Sequence, residues 1–273
     1  MTYRNFEIKR YKDGMVERAV DSIAAEDPLA ISILHWRKDS QRTENLAVTM
    51  RTPGADRELA AGLLLTEGVV QSSDDIIDLR CLGIDPGNEL LAELARGVDF
   101  DEWRQTRSGF VSSSCGVCGK ASIQQIERVV PTINQAAWRI RPDLIQSLPT
   151  LLGTHQPTFS QTGGVHAAAL VSLDGRLQIL FEDIGRHNAL DKVIGQAMLA
   201  RLLPLDKHII FMSSRASFEL IQKAAMAGVQ LLASVGGPSS LAVETARKLG
   251  ITLISFVRDQ RFNVYSGHWR LEF

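Results

Sequence analysis

The sequence predicts an α+β region followed by a larger α/β region built on a mixed β-sheet. In the second half, short apolar segments alternate with helical stretches that end at Gly228 and Gly250. This alternation is typical of parallel strands covered by helices on both faces. Asp174-Gly175 separates two further apolar segments, and a tight hairpin turn needs the positive φ that glycine adopts easily. The predicted sheet is therefore largely parallel, with one antiparallel hairpin.

The individual elements follow from hydrophobic periodicity and from helix stop signals. In the second half, strands are predicted over 167–173, 176–181, 208–212, 229–235 and 251–257, and helices over about 188–202, 217–228 and 240–250. In the first half, strands are predicted over 29–34, 46–50, 76–82 and 90–94, and one helix over 56–66. The predicted organisation is a domain over 1–110, a cysteine loop with a connecting helix over 111–141, and a second domain over 142–273.

Composition excludes several classes of partner. The 273 residues include 30 basic and 31 acidic side chains, so no broad basic surface for nucleic acid is expected. No apolar run approaches the roughly 20 residues that span a bilayer, and the N-terminus lacks an apolar signal core. Three cysteines cannot form a disulfide framework, which suits a reducing compartment. The sequence predicts a soluble cytoplasmic protein without nucleic-acid or membrane partners.

The segment 112–120 presents two of the three cysteines, Cys115 and Cys118, within a run of Ser and Gly. Such a run favours a loop, so both thiols are expected to be accessible. A lone C-x-x-C serves as a zinc half-site, a dithiol redox couple, a sulfur-carrying nucleophile or nothing in particular. Zinc needs four ligands, but no second C-x-x-C or H-x-x-x-H exists, and Cys81 is predicted to be a small hydrophobe in a strand. A thioredoxin-like pair begins a helix directly after a strand, whereas here a polar loop precedes it. Spacing alone leaves sulfur or redox chemistry and a metal or structural role open.

Polar and flexible residues follow four strands of the second half. The segments are 182–188, 213–215, 236–240 and 258–261. In α/β sheets, ligands bind in the crevice at the carboxyl ends of strands. Helix starts there would offer free N–H groups, and arginines would suit a phosphate-rich ligand. The serines expected at helix starts are Ser213, Ser214, Ser239 and Ser240, and the arginines are Arg186, Arg215, Arg258 and Arg261. Each serine is also explained as an ordinary N-cap, but four converging loops favour a ligand site.

Two histidines lie near these loops. His166 begins a predicted strand and His187 begins a predicted helix. Either could act as a general base or position a thiol, although a histidine at a strand start is more often a hydrogen-bonded structural residue. Asp191 and Lys192 belong either to the same site or to a plain surface pair on a helix.

Taken together, the motifs resemble the FdhD/NarQ family of sulfur carriers, which are accessory proteins of formate dehydrogenase. The resembling segments are 51–54 (Arg-Thr-Pro-Gly), 58–68, 113–119, 164–168, 182–192, 213–220, 238–242 and 261–265. They follow the family's order over most of the chain. One departure is Ser214, where the family pattern has glycine, and this puts a close backbone approach at that position in doubt while leaving Arg215 in place.

The resemblance implies a sulfurtransferase and a homodimer with a small N-terminal domain and a cytidine-deaminase-like C-terminal domain. Family members take persulfide sulfur from a cysteine desulfurase and pass it to the molybdenum (or tungsten) bis(molybdopterin guanine dinucleotide) cofactor, which then enters the formate dehydrogenase apoenzyme. Cys115 is the implied persulfide carrier and Cys118 the assisting or resolving thiol. No tightly bound metal is expected. The implied cofactor-binding residues are Phe256, Val257, Arg258, Asp259, Gln260 and Arg261, with Arg215, Ser239, Ser240 and His187 as additions.

A deaminase-like fold raises the alternative of a zinc-dependent nucleobase deaminase. That chemistry needs H-x-E and P-C-x-x-C. Here His166 is followed two places on by Ala168, and Pro238 is followed by Ser239, so deamination is excluded. A second alternative is a non-catalytic cofactor-binding chaperone whose cysteine loop is structural or binds metal.

Overall fold

The computed structural model describes residues 1–83, 87–100 and 138–272. The cysteine loop with Cys115 and Cys118, and all of the predicted connection except 138–141, lie outside the described residues. Within the described part, the chain forms a mixed α/β structure of three β-sheets and six α-helices.

The first part comprises β1 (Tyr3–Lys12), β2 (Met15–Ala24), β3 (Asp27–Arg37), β4 (Ser40–Arg51), α1 (Asp56–Thr66), β5 (Ile76–Leu82) and β6 (Glu89–Leu94). The second part comprises α2 (Pro142–Gly153), α3 (Pro157–Thr162), β7 (His166–Ser172), β8 (Leu177–Asp183), α4 (Arg186–Leu199), β9 (His208–Met212), α5 (Phe218–Met226), β10 (Leu231–Ser234), α6 (Ser240–Leu249), β11 (Thr252–Arg258) and β12 (Arg261–Ser266).

The predicted mixed sheet is confirmed. Six strands lie in the order β12-β11-β10-β9-β7-β8, in which β9, β10 and β11 are parallel. The other pairings in this sheet are antiparallel, including the predicted hairpin of β7 and β8. Its turn contains Gly175 at φ +87°, and the Gly175 N–H donates to the Ser172 carbonyl. The first part adds a four-stranded sheet, β4-β3-β6-β5, and the two-stranded β1-β2 ribbon.

Every predicted strand and helix of the described residues is present, with boundaries shifted by a few residues. The β1-β2 ribbon, helices α2 and α3, and strand β12 were not predicted. One expectation about the first part is wrong. Cys81 lies in β5, but it is exposed rather than packed as a small hydrophobe.

The central strands β9 and β10 of the six-stranded sheet are buried on both faces. Neighbouring residues of β9 enter different cores, because Ile210 packs in the cluster on the α4 side and Ile209 in the cluster on the α2 side. Leu232 and Leu231 of β10 divide in the same way. Successive side chains of a strand point to opposite faces, so a strand buried on both is apolar throughout. The larger cluster also contains residues of α1 and β3, which joins the two parts of the chain in one core.

Helices α1 and α4 cross in direct backbone contact at two glycines. A Cβ atom added to Gly62 would lie 1.9 Å from the Asp191 carbonyl oxygen, and one added to Gly195 would lie 1.9 Å from the Glu58 carbonyl oxygen. No side chain fits at either position unless the helices separate. The close crossing brings the start of α4, which lies at the candidate site, against the first part of the chain.

We expect Gly62→Ala to lower the free energy of unfolding by about 1–3 kcal/mol, as overpacking of a dense core does. Urea unfolding of both proteins measures the difference. The matched control is Gly153→Ala at the end of α2, where an added Cβ meets no atom within 4 Å. This control is expected to change stability by less than about 1 kcal/mol. Equal effects of the two substitutions would contradict the proposed helix contact.

Candidate functional site

The loops that follow four strands, and the start of a fifth strand, meet at one edge of the six-stranded sheet. Strands β9, β10 and β11 are parallel and end there, while β7 begins there and β8 ends there because both run antiparallel to their neighbours. His166 at the start of β7 pairs in register with Asp183 at the end of β8. The Ser213 hydroxyl after β9 accepts a 2.8 Å hydrogen bond from the Ala167 N–H. We call this the carboxyl edge, formed by loops 182–188, 213–217, 235–240 and 256–261.

The loops that follow β9 and β10 are joined through their backbones. The Gly236 N–H donates to the Ser214 carbonyl at 3.0 Å, and the Ala216 N–H donates to the Gly237 carbonyl at 3.2 Å. A Cβ atom on Gly236 would lie 2.8 Å from the backbone of Arg215. The two loops approach so closely that position 236 requires glycine.

Phe256 places an aromatic ring on the surface of this edge. Its side chain is 42% exposed, and its backbone has φ +55°, a left-handed conformation that is strained for a bulky residue. A Cβ atom on Gly237 would lie 2.5 Å from Cζ of the Phe256 ring, so the ring lies directly against the Gly237 backbone. Strained residues cluster at functional sites, and exposed aromatic faces stack on bases. The arrangement offers a stacking platform.

The residues after Phe256 divide between core and surface. Val257 is fully buried in the core on the α2 side, so only its backbone can face a ligand. Arg258 is exposed, and its Nη1 donates to the carbonyls of Val235 (2.8 Å) and Val257 (2.7 Å). Asp259, Gln260 and Arg261 are exposed where β11 turns into β12. Arg215 is exposed as well. The carboxyl edge therefore has three cations that a phosphate-rich ligand can reach, namely Arg215, Arg258 and Arg261.

The serines of the edge differ in role. Ser239 caps α6, where its side-chain oxygen accepts from the Ala242 N–H at 3.2 Å, and exposed Ser240 is the first residue of that helix. The expectation that Ser213 and Ser214 lie at a helix start is wrong, because α5 begins only after Ser217. Ser214 is not among the described residues with positive φ, so the family's glycine is not needed there for backbone conformation.

His187, at the start of α4, faces Glu219 in the first turn of α5. The His187 Nε2 atom lies 3.9 Å from Oε2 of Glu219. Burial, reinforced by Arg186 and Lys223, lowers the pKa of His187 to about 4. Burial and Arg186 also lower the pKa of His166. Both imidazoles are therefore neutral near pH 7.

The low pKa of His187 predicts a pH dependence of stability. An unfolded histidine titrates near its ordinary pKa of about 6.5, so between that pH and about 4 the unfolded chain binds a proton that the folded chain does not. The free energy of unfolding therefore falls as pH decreases through this window. We expect His187→Gln to reduce this fall in urea unfolding at pH 7.0 and 4.5. His268→Gln, at an exposed position, is expected to leave it unchanged, and an unaltered pH dependence in His187→Gln would contradict the assignment.

Asp183, fully buried at the end of β8, fixes the loop that carries His187. Its carboxylate accepts from Lys192 Nζ at 2.6 Å, the Thr52 N–H at 3.1 Å and the Gly185 N–H at 2.8 Å. Lys192 also donates to the Thr52 carbonyl at 2.9 Å, and the Thr52 hydroxyl accepts from the Ile184 N–H at 3.0 Å. The Arg-Thr-Pro-Gly segment of the first part is thereby fastened to the loop between β8 and α4.

A second buried pair joins α4 to α1 and α5. Asp191 lies 2.8 Å from Lys223 Nζ and accepts from the Thr66 hydroxyl at 2.9 Å. Burial raises the pKa of Asp191 although Lys223 opposes the shift. The interpretation of Asp191 and Lys192 as a surface pair is wrong, since both are buried and connect the two parts of the chain.

The cysteines of the C-x-x-C are outside the described residues, and the third is a poor nucleophile. Although Cys81 is exposed, partial burial of its thiol, with Asp56 second, raises its pKa, and a raised pKa reduces the thiolate fraction. In the part of the chain that the structure describes, no three His, Cys, Asp or Glu side chains are grouped to bind a metal ion. No helix in that part is long and apolar enough to cross a membrane.

Comparison with known proteins decides the family. The model of the FdhD/NarQ family matches residues 24–272. The chain belongs to the FdhD/NarQ family. A relative named sulfur carrier protein FdhD from Streptomyces avermitilis is 42% identical over 270 residues, covering 96% of this chain and 93% of the relative. A relative of the same name from Thermoplasma acidophilum is 41% identical over 261 residues, covering 94% and 89% of the two chains.

A solved structure supports the fold. The crystal structure of a putative formate dehydrogenase accessory protein from Desulfotalea psychrophila matches this chain with a TM-score of 0.75 and covers 100% of both chains. At 22% sequence identity the match establishes a shared fold.

Proposed function

We propose that this FdhD/NarQ family member is a sulfur carrier that delivers persulfide sulfur to a molybdenum (or tungsten) bis(molybdopterin guanine dinucleotide) cofactor for formate dehydrogenase. The observation that carries the proposal is the carboxyl edge, where exposed arginines and the exposed Phe256 ring lie on loops from neighbouring strands. Family membership supports sulfur carriage in general, and relatives at 41–42% identity bear the name sulfur carrier protein.

The dimensions of the edge support a long ligand. From β8 to β11 there are four strand intervals, which at about 4.8 Å each extend over roughly 19 Å. Loops with polar groups lie along this whole length, from His187 to Phe256. An extended dinucleotide needs such a distribution, with aromatic or hydrogen-bonding groups for its bases and cations for its pyrophosphate.

The proposed chemistry uses the two thiols of the C-x-x-C. The Cys115 thiolate attacks the terminal sulfur of a persulfide on a cysteine desulfurase, and the desulfurase cysteine leaves as a thiolate. Cys118 then attacks the Sγ atom of the Cys115 persulfide. A Cys115–Cys118 disulfide forms, and the outer sulfur leaves as sulfide toward the cofactor. The two thiols supply the two electrons of this reduction, and an external dithiol restores them. Lys120 and the loop N–H groups would favour the thiolate.

The same proposal covers architecture and partners. The second domain, 142–273, would have the cytidine-deaminase-like fold, preceded by the domain 1–110 and the connection 111–141. The partners would be a cysteine desulfurase, the formate dehydrogenase apoenzyme and a second copy of the chain, all in the cytoplasm. The cofactor-binding residues would be Arg215, Ser239, Ser240, His187 and residues 256–261.

Binding of GDP tests the proposed cofactor site. We expect the full chain to bind GDP in isothermal titration calorimetry, and Phe256→Ala to weaken this binding about fivefold or more, because stacking contributes about 1–3 kcal/mol per base. Alanine at φ +55° keeps the backbone strain of phenylalanine, so the substitution removes mainly the ring. The matched control is Phe159→Ala at a similarly exposed position in α3. No GDP binding by the wild-type chain, or equal binding by Phe256→Ala, would contradict the proposed site.

A further inference from the structure

Three polar side chains lie between the start of α4 and the first turn of α5: His187 Nε2 is 3.9 Å from Glu219 Oε2, and Arg186 acts electrostatically on both. Arg186 and His187 are the first two residues of α4, and Glu219 is the second residue of α5. The Arg186 Nε and His187 Nε2 atoms are buried and have no hydrogen-bond partner among the described residues. Buried polar atoms almost always have a partner, and a ligand that reaches the carboxyl edge can supply one to these two atoms.

The charge state of the cluster limits which group that is. Burial disfavours ionisation of Glu219, but Ser217, its own backbone N–H, His187 and Arg186 outweigh burial and lower the pKa of Glu219. Glu219 is therefore a carboxylate with two acceptor oxygens, while neutral His187 offers one donor and one acceptor. The other groups facing the cluster are Lys223, which is bonded to Asp191, and neutral His166. A phosphate group would be repelled by the negative charge of Glu219, so the cluster does not favour a phosphate.

The acceptors and donors fit one kind of ring edge. A carboxylate accepts from two adjacent N–H groups, and a guanidinium or imidazole N–H beside it donates to a carbonyl. The 2-amino-oxo edge of guanine carries an amino group, a ring N–H and a carbonyl in that order, and the pterin ring carries the same edge. Adenine instead presents a ring nitrogen acceptor, which would leave the carboxylate and that nitrogen unpaired.

We propose that Glu219, His187 and Arg186 bind the 2-amino-oxo edge of a guanine or pterin ring and select it against adenine. This inference rests on the proposed function. It places at the α4 end of the carboxyl edge a different ring of the bis-dinucleotide cofactor from the ring that stacks on Phe256, since the two positions are four strand intervals apart. Glu219 accepts from the amino group and the ring N–H, and Arg186 or His187 donates to the carbonyl. The phosphates are left to the exposed arginines of the other loops.

Calorimetry with the full chain tests the selection. The ligands are GDP, IDP (which lacks the 2-amino group), ADP and neopterin, a pterin without phosphate. We expect the wild-type chain to bind GDP at least tenfold more tightly than ADP, with IDP between them. Glu219→Gln replaces one acceptor by a donor and so matches adenine better. We expect it to weaken GDP at least tenfold and to leave ADP unchanged or tighter. The control Glu244→Gln, at an exposed position of α6, is expected to change none of the four affinities.

The outcomes distinguish guanine from pterin as the bound ring, and they distinguish failure of the ring-binding cluster from failure of the whole cofactor site. If Glu219→Gln weakens the binding of GDP alone, the cluster binds guanine. If it weakens the binding of neopterin alone, the cluster binds the pterin. Either result supports the proposal. Equal wild-type affinities for GDP and ADP combined with unchanged neopterin binding in Glu219→Gln, or an equal loss of all ligands in Glu219→Gln, overturn it while leaving the cofactor site in place. If neither GDP nor neopterin binds to the wild-type chain, the proposed cofactor site fails as well.

Discussion

Cys115→Ala is expected to abolish activation of formate dehydrogenase while leaving GDP binding unchanged. Sulfur transfer through a persulfide needs a nucleophilic sulfur on the carrier, and alanine has none. The nucleotide, by contrast, is expected to bind through the carboxyl edge. The measurements are formate dehydrogenase activity in cells lacking the native carrier but expressing the variant, and calorimetry of GDP binding by the purified variant. The expected activity is indistinguishable from that of cells without the carrier.

The matched control is Cys81→Ala, because Cys81 is the third cysteine and its pKa is raised. This variant is expected to keep full activity. Full activity in Cys115→Ala would exclude the carrier mechanism and would favour the non-catalytic chaperone. Loss of GDP binding in Cys115→Ala would show that the substitution affects more than the thiol.

Lys192→Met is expected to lower the free energy of unfolding by about 3–5 kcal/mol, the range found when one partner of a buried ion pair is removed. Lys192 and Asp183 are almost fully buried, and their charged atoms are 2.6 Å apart. Without the ammonium, the Asp183 carboxylate stays buried with only neutral N–H donors from Thr52, Gly185 and Asn188. Urea unfolding measures the loss.

Two further variants separate the buried charge from lost packing. The double variant Lys192→Met/Asp183→Asn removes both charges, and we expect it to be more stable than Lys192→Met alone. Lys207→Met, at an exposed position, is expected to stay within about 0.5 kcal/mol of the wild type. A double variant no more stable than the single one would show that the charge of Asp183 is not the cause.

The sheet was predictable because its strands have strong local signals. β9, β10 and β11 are continuously apolar since both faces are buried, and Asp174-Gly175 indicates the hairpin by its turn chemistry. The β1-β2 ribbon was missed for the opposite reason. Apolar side chains such as Phe6, Val16 and Val20 are exposed on both of its faces, so the sequence shows no alternation of period two.

Helix α2 has a helical pattern in its sequence. Pro142 stands in its first turn, and Ile145, Leu148 and Leu152 form one buried stripe, although Pro149 interrupts the usual helical composition. The sequence shows the motif 182–192, but it does not show that Asp191 and Lys192 connect the two parts of the chain. Whether Asp191 and Lys192 are buried depends on the packing of α1 against α4, and this long-range contact leaves no local pattern in the chain.

The site was predicted as a set of loops, and the sheet order brings those loops to one edge. Glu219 was missed as a candidate because a glutamate in the first turn of a helix is ordinary in sequence. Its relation to His187 depends on how α5 packs beside α4. A glutamate four residues before Lys223 also looks like a helix-surface ion pair, whereas Lys223 is bonded to Asp191.

The most direct test of the central claim is mass spectrometry of the anaerobically prepared full chain after incubation with a cysteine desulfurase and free cysteine, followed by alkylation. The account predicts one additional sulfur on the peptide that contains Cys115, removable by a reducing agent. Absence of added sulfur on both Cys115 and Cys118, with a stoichiometric amount of zinc in the sample, would contradict the account and identify the loop as a metal site.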